Sequence, residues 1–232
     1  MGYYMQLSER LPKETARDYA IRMIRENIVK TTLEPGCMVS ENELAGEMGL
    51  SRTPVREALI ELSKSGIVEI FPQHGSMVSK IDYDKVEEAS FTRRVLETAV
   101  VREVCAVASD QDIADLDENV SLYRLYLDRG DVDKLLAADN EFHRRLFMIA
   151  KKRISYELMT GLSAHFDRVR QLNVVVAKSS GIAADHQAIL DAIRRRDADG
   201  AEQAMREHLS RYRIDRSEIE EKYPRFFAEA KS

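Results

Sequence analysis

Four side chains in the second half of the chain could together hold a metal ion. Asp139 and His143 stand four residues apart, so on a helix they share one face, one turn apart. His186 and His208 each lie at helical spacing from apolar residues, so each shares a helix face with them. This pattern predicts that both side chains point inward. One carboxylate and three imidazoles offer the nitrogen and oxygen donors that suit Zn, Ni, Mn or Fe(II). The alternative is that these are hydrogen-bonded core residues that bind no ion.

The part of the chain that must position these side chains reads as helical throughout. Short breaks separate the helices and favour antiparallel neighbours, so the pattern predicts an all-helical bundle over residues 82–223. The run 174–176 is the one ambiguous segment, because three consecutive valines also suit a strand. Six helices are predicted, at residues 83–109, 110–129, 132–151, 155–177, 182–195 and 198–222.

The first part of the chain has a different pattern. A helix is predicted at residues 14–32, followed by two short helices that meet at Gly49, where a tight turn favours glycine. Ser51 is a natural N-cap for the second of these, and Arg52, Thr53 and Arg56 stand at its exposed start. In a helix-turn-helix this end meets base edges and phosphates in the major groove.

A hairpin is predicted directly after these helices. Residues 67–71 and 77–80 have strand composition and flank a turn that contains His74 and Gly75. A hairpin in this position is a wing, and glycine at its tip permits close approach of the backbone to DNA. The predicted fold is therefore mainly α, with an N-terminal winged helix-turn-helix at residues 10–80 and an antiparallel helical bundle at residues 82–223.

This first part resembles the winged helix-turn-helix of the GntR family of bacterial transcription regulators. The similarity rests on PG-x-x-x-SENELA, GLSRTPVREAL, GIV and HG, over roughly residues 13–80. Asn42 stands where several members have arginine. The resemblance implies a set of DNA-contacting positions, which are Arg52, Thr53, Arg56, His74 and Gly75.

The second part resembles the FadR C-terminal domain of one branch of that family, in its shorter, six-helix form. The Asp139/His143 pair and the two later histidines match the positions that hold a divalent ion at the bottom of an effector cavity. Arg93, in R-x-x-L-E, matches the first helix of that domain and is implied to face a carboxylate effector. Arg168 and Arg170 are weaker candidates for the same role. For all three arginines, the alternative is a solvated face or an intramolecular salt bridge. His165 fits no part of the pattern, and we expect it in the core or lining the cavity.

Composition limits the other possibilities. The net charge is −5 overall, and residues 1–80 carry ten Lys and Arg against eleven Asp and Glu, so DNA binding must depend on where the arginines lie. Two cysteines without motif spacing argue against a disulfide framework or a thiolate zinc site. No signal-peptide pattern and no apolar run of about 18 residues are present, which predicts a cytoplasmic protein with no membrane partner.

Together these patterns predict a transcription regulator, most simply a repressor, that is not an enzyme. It would bind a pseudo-palindromic double-stranded operator as a homodimer and respond to a small organic or sugar acid. Two alternatives remain open. The divalent ion could itself be the effector, or an open metal site could activate water in a metal-dependent enzyme.

Overall fold

A computed structural model describes residues 5–176, 181–211 and 216–228 of the chain. The described residues fall into two compact units. The first is bounded as Met1–Val86, Ala164–Gln171 and Arg216–Ser232, and the second as Glu87–Ser163 and Leu172–Asp215. Within the described part of the chain, no helix has both the length and the apolar character that crossing a membrane requires.

The first unit contains the predicted winged helix-turn-helix. Its elements are α1 Ala16–Val29, β1 Met38–Val39, α2 Glu41–Met48, α3 Arg52–Lys64, β2 Val68–Phe71 and β3 Gly75–Val78. The three strands form an antiparallel sheet in the order β1-β3-β2. Met77 pairs with Met38 on one side and with Glu69 on the other. The two-residue strand β1 was not predicted, because a strand this short leaves no alternating pattern in the sequence.

Local sequence explains how these helices begin and end. Thr15 caps α1 by accepting a hydrogen bond from the backbone N–H of Asp18 at 3.1 Å. The predicted glycine turn is present, because Gly49 ends α2 with a left-handed φ of 64°. One face of each helix is buried in a shared core, whose largest members include Met23, Ile24, Leu44, Leu59 and Ile67.

From Tyr83 onward, the described residues are mainly helical, as predicted. The helices are α4 Tyr83–Val107, α5 Asp110–Arg129, α6 Val132–Ile149, α7 Arg153–Leu162, α8 Ala164–Val176, α9 Gly181–Arg194, α10 Ala198–Arg211 and α11 Arg216–Lys222, and a 3-10 turn follows at Pro224–Phe226. The second unit has its own apolar core, which includes Val101, Phe142, Phe147, Ile189 and Met205. The mainly α fold with a small winged sheet is thus confirmed.

The prediction of six helices after residue 82 was wrong. The single helix predicted at 155–177 is two helices, α7 and α8, separated at Ser163. Both the N–H and the hydroxyl of Ser163 donate to the carbonyl oxygen of Thr160, at 3.3 and 3.0 Å, which is the local competition that interrupts a helix at serine. The helix predicted at 198–222 is present as α10 and α11, and residues 212–215 lie outside the described residues. The ambiguous run 174–176 is helical.

The sequence predicts two domains that are divided once, at residues 80–82. The two compact units are each made of more than one segment of the chain. The segments Ala164–Gln171 and Arg216–Ser232, which are distant in sequence, group with the winged part. In the second of these, the N–H of Ala228 donates to the carbonyl oxygen of Ile81 at 2.9 Å. No local pattern in the sequence could reveal such pairing, because it depends on contacts across more than 140 residues.

Candidate metal centre and nucleic-acid interface

The four predicted metal ligands come together in the second unit. Helix α6 carries Asp139 and His143 on its buried face, while α9 supplies His186 and α10 supplies His208. Each of the four is at most 2% exposed to solvent. One donor atom from each can be chosen so that all four lie within 4.8 Å of one another. Three helices that are separate in sequence thus bring one carboxylate and three imidazoles to a single point.

The individual distances are those of donors that surround a common centre. His143 Nε2 lies 3.1 Å from His208 Nε2 and 3.9 Å from Asp139 Oδ2. His186 Nε2 lies 3.3 Å from Asp139 Oδ1. Two ligands bound about 2.1 Å from one ion at the tetrahedral angle are roughly 3.4 Å apart. The spacing of the four side chains therefore fits a small divalent cation.

A second layer of carboxylates lies behind two of the histidines. Glu97 contacts Nδ1 of His143, and Asp185 Oδ2 lies 3.7 Å from Nδ1 of His208. A carboxylate behind a ligating histidine holds the proton on the outer nitrogen, so that the lone pair of the inner nitrogen is free for a metal. Sequence reasoning missed both carboxylates. Their signals are the adjacency of Asp185 to His186 and the four-residue spacing of Arg93 and Glu97.

Charge in this site is balanced by a buried ion pair. Arg93 Nε donates to Glu97 Oε1 at 2.7 Å, and both side chains are at most 6% exposed. Burial opposes ionisation of Glu97, but the charge and hydrogen bond of Arg93, together with the contact with His143, outweigh it and lower the pKa of Glu97 to about 2. Burial also lowers the pKa of His186, and it lowers that of His208 to about 3. These two imidazoles are therefore neutral at pH 7, the form that binds metals.

Aromatic neighbours hold the ring of His186. Phe142 stacks on it with ring centroids 4.2 Å apart, and Tyr123 approaches edge-on at 5.1 Å. Asn119, one turn before Tyr123 on α5, is 4% exposed and donates to the carbonyl oxygen of Ala138, the residue before Asp139. The site therefore presents nitrogen and oxygen donors whose side chains are enclosed by packed neighbours.

The three arginines predicted to bind an effector have different surroundings. Arg93 is buried and is joined to the metal-ligand set through Glu97. Arg168 is fully buried, but its guanidinium contacts Ser79 and His165, all within the first unit. The effector role predicted for Arg168 stays a prediction. Arg170 is 3% exposed and belongs to the same segment of the first unit. His165 is a core residue, with contacts in the first unit as well.

The predicted DNA-contacting arginines lie at the exposed start of α3. The side chains of Arg52 and Arg56 are 67% and 72% exposed. Both approach Glu41 at the start of α2, at 3.1 and 3.9 Å. Such exposed ion pairs are weak, so the guanidinium groups can exchange this partner for DNA at little cost. Thr53 is exposed in the same first turn of α3.

The wing tip faces the same side of the first unit as the two arginines. A groove of about 710 Å³ is lined by Arg52 and Arg56 on one side and by His74 and Gly75 on the other. Its lining does not include Thr53. Gly75 has a φ of 103°, a conformation that favours glycine, and it closes the tight turn between β2 and β3. The structure thus brings four of the five predicted DNA-contacting residues to one groove.

Comparison with known proteins agrees with this geometry. Residues 17–78 match the family model described as bacterial regulatory proteins, gntR family, and residues 88–211 match the FCD domain. The chain is 31% identical to the HTH-type transcriptional repressor RspR of Escherichia coli (strain K12), over 94% of this chain and 96% of that protein. It is 33% identical to an HTH-type transcriptional regulator of Streptomyces ambofaciens, over 91% and 89%.

A solved structure shows the same fold. E. coli McbR/YncC superposes with a TM-score of 0.78, over 90% of this chain and 99% of that one, at 19% sequence identity. FCD domains often bind metal, in keeping with the buried Asp/His cluster. The matched domains and the relatives are those of DNA-binding transcription regulators, not of enzymes. The chain therefore belongs to the GntR family of bacterial transcription regulators, with an FCD domain in its C-terminal half.

Proposed function

We propose that this regulator holds a divalent metal ion between Asp139, His143, His186 and His208, and that a small carboxylate metabolite binds beside the ion and controls operator affinity. The observation that carries this proposal is the convergence of four buried donors within 4.8 Å, two of them backed by carboxylates. The ion, which is Zn, Ni, Mn or Fe by its ligands, would supply a positive charge that attracts a carboxylate.

Arg93 supports the same site from behind. Its bond to Glu97 fixes the carboxylate that contacts His143, and a planar guanidinium is the kind of group that suits a carboxylate ligand. A ligand shifts an allosteric protein only through its different affinities for two states, typically worth ~1–3 kcal/mol. We propose that the helical half, residues 82–223, binds the effector and dimerises, and that residues 10–80 bind DNA.

For the DNA side, we propose that Arg52, Thr53 and Arg56 contact the major groove while His74 and Gly75 approach the adjacent backbone or minor groove. A homodimer would then place one winged helix-turn-helix on each half of a pseudo-palindromic operator. The name of the E. coli relative, a transcriptional repressor, favours repression over activation.

The test is a thermal-shift screen of the full-length, metal-loaded protein against small organic and sugar acids. A ligand that binds the folded state raises the unfolding midpoint by mass action. The His186→Ala variant is the control, since it should not respond to the same compound. Hits must also change binding to a duplex that the wild-type protein selects from random DNA. Equal shifts with and without metal would contradict a role for the ion in effector binding.

A second candidate is a regulator whose effector is the ion itself. The protein already provides four ligands, and a zinc site with four protein ligands is usually closed, whereas a site that takes a further ligand keeps a position open. Operator affinity that changes reversibly with free metal, and with no organic acid present, would favour this candidate.

A further inference from the structure

The wing is held at its base by two side chains from a distant part of the chain. Strand β2 follows Gly66, and strand β3 leads to Ser79 and Asp82. Both ends of the hairpin meet His165. Its Nδ1 accepts a hydrogen bond from the backbone N–H of Asp82 at 3.1 Å, and its Nε2 lies 3.3 Å from the carbonyl oxygen of Gly66. One imidazole thus bridges the chain entering the wing and the chain leaving it.

Arg168, one turn further along α8, contacts the same segment. Its Nη1 donates to the carbonyl oxygen of Ser79 at 2.6 Å, and its Nη2 lies 2.9 Å from His165 Nδ1. Neither of these contacts is with a carboxylate. Burial lowers the pKa of Arg168 to about 10, so the group stays charged at neutral pH. Burying a guanidinium against neutral acceptors is costly, which suggests that it serves the placement of Ser79 more than overall stability.

The contacts of His165 define its protonation state. Its Nδ1 receives two N–H groups and must be an acceptor, so the ring proton lies on Nε2 and points at Gly66. Burial, followed by the charges of Arg168 and Lys85, lowers the pKa of this imidazole to about 3. The bridge is therefore made by a neutral ring with one donor and one acceptor, and each end of the wing uses a different nitrogen.

The chain that leaves the wing is also held from a second direction. The N–H of Ile81 donates to the carbonyl oxygen of Phe226 at 2.8 Å, and the ring of Tyr83 stacks on Phe227 with centroids 5.1 Å apart. Residues 79–83 are therefore enclosed by the start of α8 and by the C-terminal segment. The strand pairs of the hairpin form without contacts from α8 or from the C-terminal segment, so these contacts must serve another purpose.

We propose that His165 and Arg168, here called the α8 clamp, are positioning residues that hold the wing at the angle that DNA binding requires. Because both side chains belong to one helix, a shift of α8 would move both ends of the hairpin together. The clamp thus couples the position of the wing to the position of α8. This inference rests on the proposed contact of the wing tip, His74 and Gly75, with DNA.

Two substitutions of His165 separate the halves of the clamp. In His165→Asn the side-chain oxygen can take the place of Nδ1, so the acceptor for Asp82 and Arg168 is kept while the donor to Gly66 is lost. In His165→Gln the amide nitrogen reaches the place of Nε2, so the donor to Gly66 is kept while that acceptor is lost. Arg168→Met removes the bond to Ser79 with little change in volume. Gln171→Ala, on the same helix, is the control.

The experiment measures amide hydrogen exchange and DNA footprints on full-length protein, with a duplex that the wild type selects from random DNA. The Asp82 amide should exchange faster in His165→Gln but stay protected in His165→Asn, which keeps its acceptor. In His165→Gln and Arg168→Met, we expect about tenfold weaker DNA binding, with protection lost under the wing and kept under α3. Gln171→Ala should match the wild type in amide exchange, in DNA affinity and in footprint.

The outcomes separate the clamp from the DNA-binding function. If His165→Gln shows the same Asp82 exchange and the same footprint as the wild type, the clamp does not position the wing. If Arg168→Met does not fold, the two His165 variants still decide the question. If the wild type selects no duplex, the proposed DNA contacts fail, while the exchange data still test whether the clamp holds the wing.

Discussion

The Nε2 atoms of His143 and His208 lie 3.1 Å apart at a point that is closed to solvent. Carboxylates behind both rings, Glu97 and Asp185, attract the ring protons to the outer nitrogens. Two inward lone pairs at this distance repel each other unless a proton or a cation stands between them. This relationship, more than the mere presence of histidines, supports the proposal of a metal ion between the two rings.

The first prediction concerns metal content. Protein purified gently, without chelator, should carry about one divalent ion per chain, because four donors converge on one point. His186→Ala and His208→Ala should each lose most of it. His74→Ala removes a histidine at the exposed wing tip and should keep the metal. Elemental analysis measures the ratio, and no metal even after reconstitution would leave the four residues as part of an ordinary core.

The second prediction concerns DNA recognition. Arg52→Ala or Arg56→Ala should weaken operator binding by ~1–3 kcal/mol if the side chain reads a base with both of its N–H groups. The fold should be unaffected, because both side chains are largely exposed. Lys64→Ala, at the opposite end of α3, is the matched control. Gel-shift titrations at one fixed salt concentration measure the change, and wild-type affinity would place these arginines outside the interface.

The third prediction concerns coupling. The double variant Asp139→Ala/His143→Ala should lose the response to any acid found in the thermal-shift screen, while its basal operator affinity stays close to that of the wild type. The reason is that none of the four ligands lies in the winged part, residues 10–80. Fluorescence anisotropy with labelled operator measures both quantities. A folded variant that binds no operator would instead assign the ion a structural role.

The fourth prediction concerns pH. The pKa of His165 is about 3 in the folded protein, whereas an unfolded histidine titrates near 6.5. Between these values the unfolded chain binds the extra proton, so the free energy of unfolding falls as pH falls from about 6.5. The groups that lower this pKa, after burial itself, are Arg168 and Lys85, while Gly66 and Asp82 oppose them.

Replacing His165 should therefore flatten this dependence. Between pH 6 and pH 5, the free energy of unfolding of the wild type should fall more steeply than that of His165→Asn, by up to ~1.4 kcal/mol per pH unit. The reason is that the variant has no imidazole to protonate at this position. Urea titrations at several pH values measure the slope, with the metal-ligand histidines unchanged in both proteins. Parallel curves would mean that His165 is already accessible to protons in the folded state.

The sequence by itself was sufficient for the winged helix-turn-helix, the helical second half and the four candidate metal ligands. These features rest on local patterns: Ser51 before an amphipathic helix, Gly49 at a turn that needs a left-handed residue, and Asp139 four residues before His143. Helix geometry converts such spacings directly into shared faces. The break at Ser163 was missed, because a serine inside an apolar periodic stretch is usually tolerated.

Only the tertiary structure decided which distant residues meet. Glu97 and Asp185 became partners of His143 and His208 because the fold brings α4 to α6 and α9 to α10. Arg168 had the chemistry for a carboxylate ligand in the sequence, yet the structure places it against Ser79 and His165 at the base of the wing. The physical reason is that packing depends on contacts between segments far apart in the chain, whereas periodicity reports only how each segment divides its own faces between core and solvent.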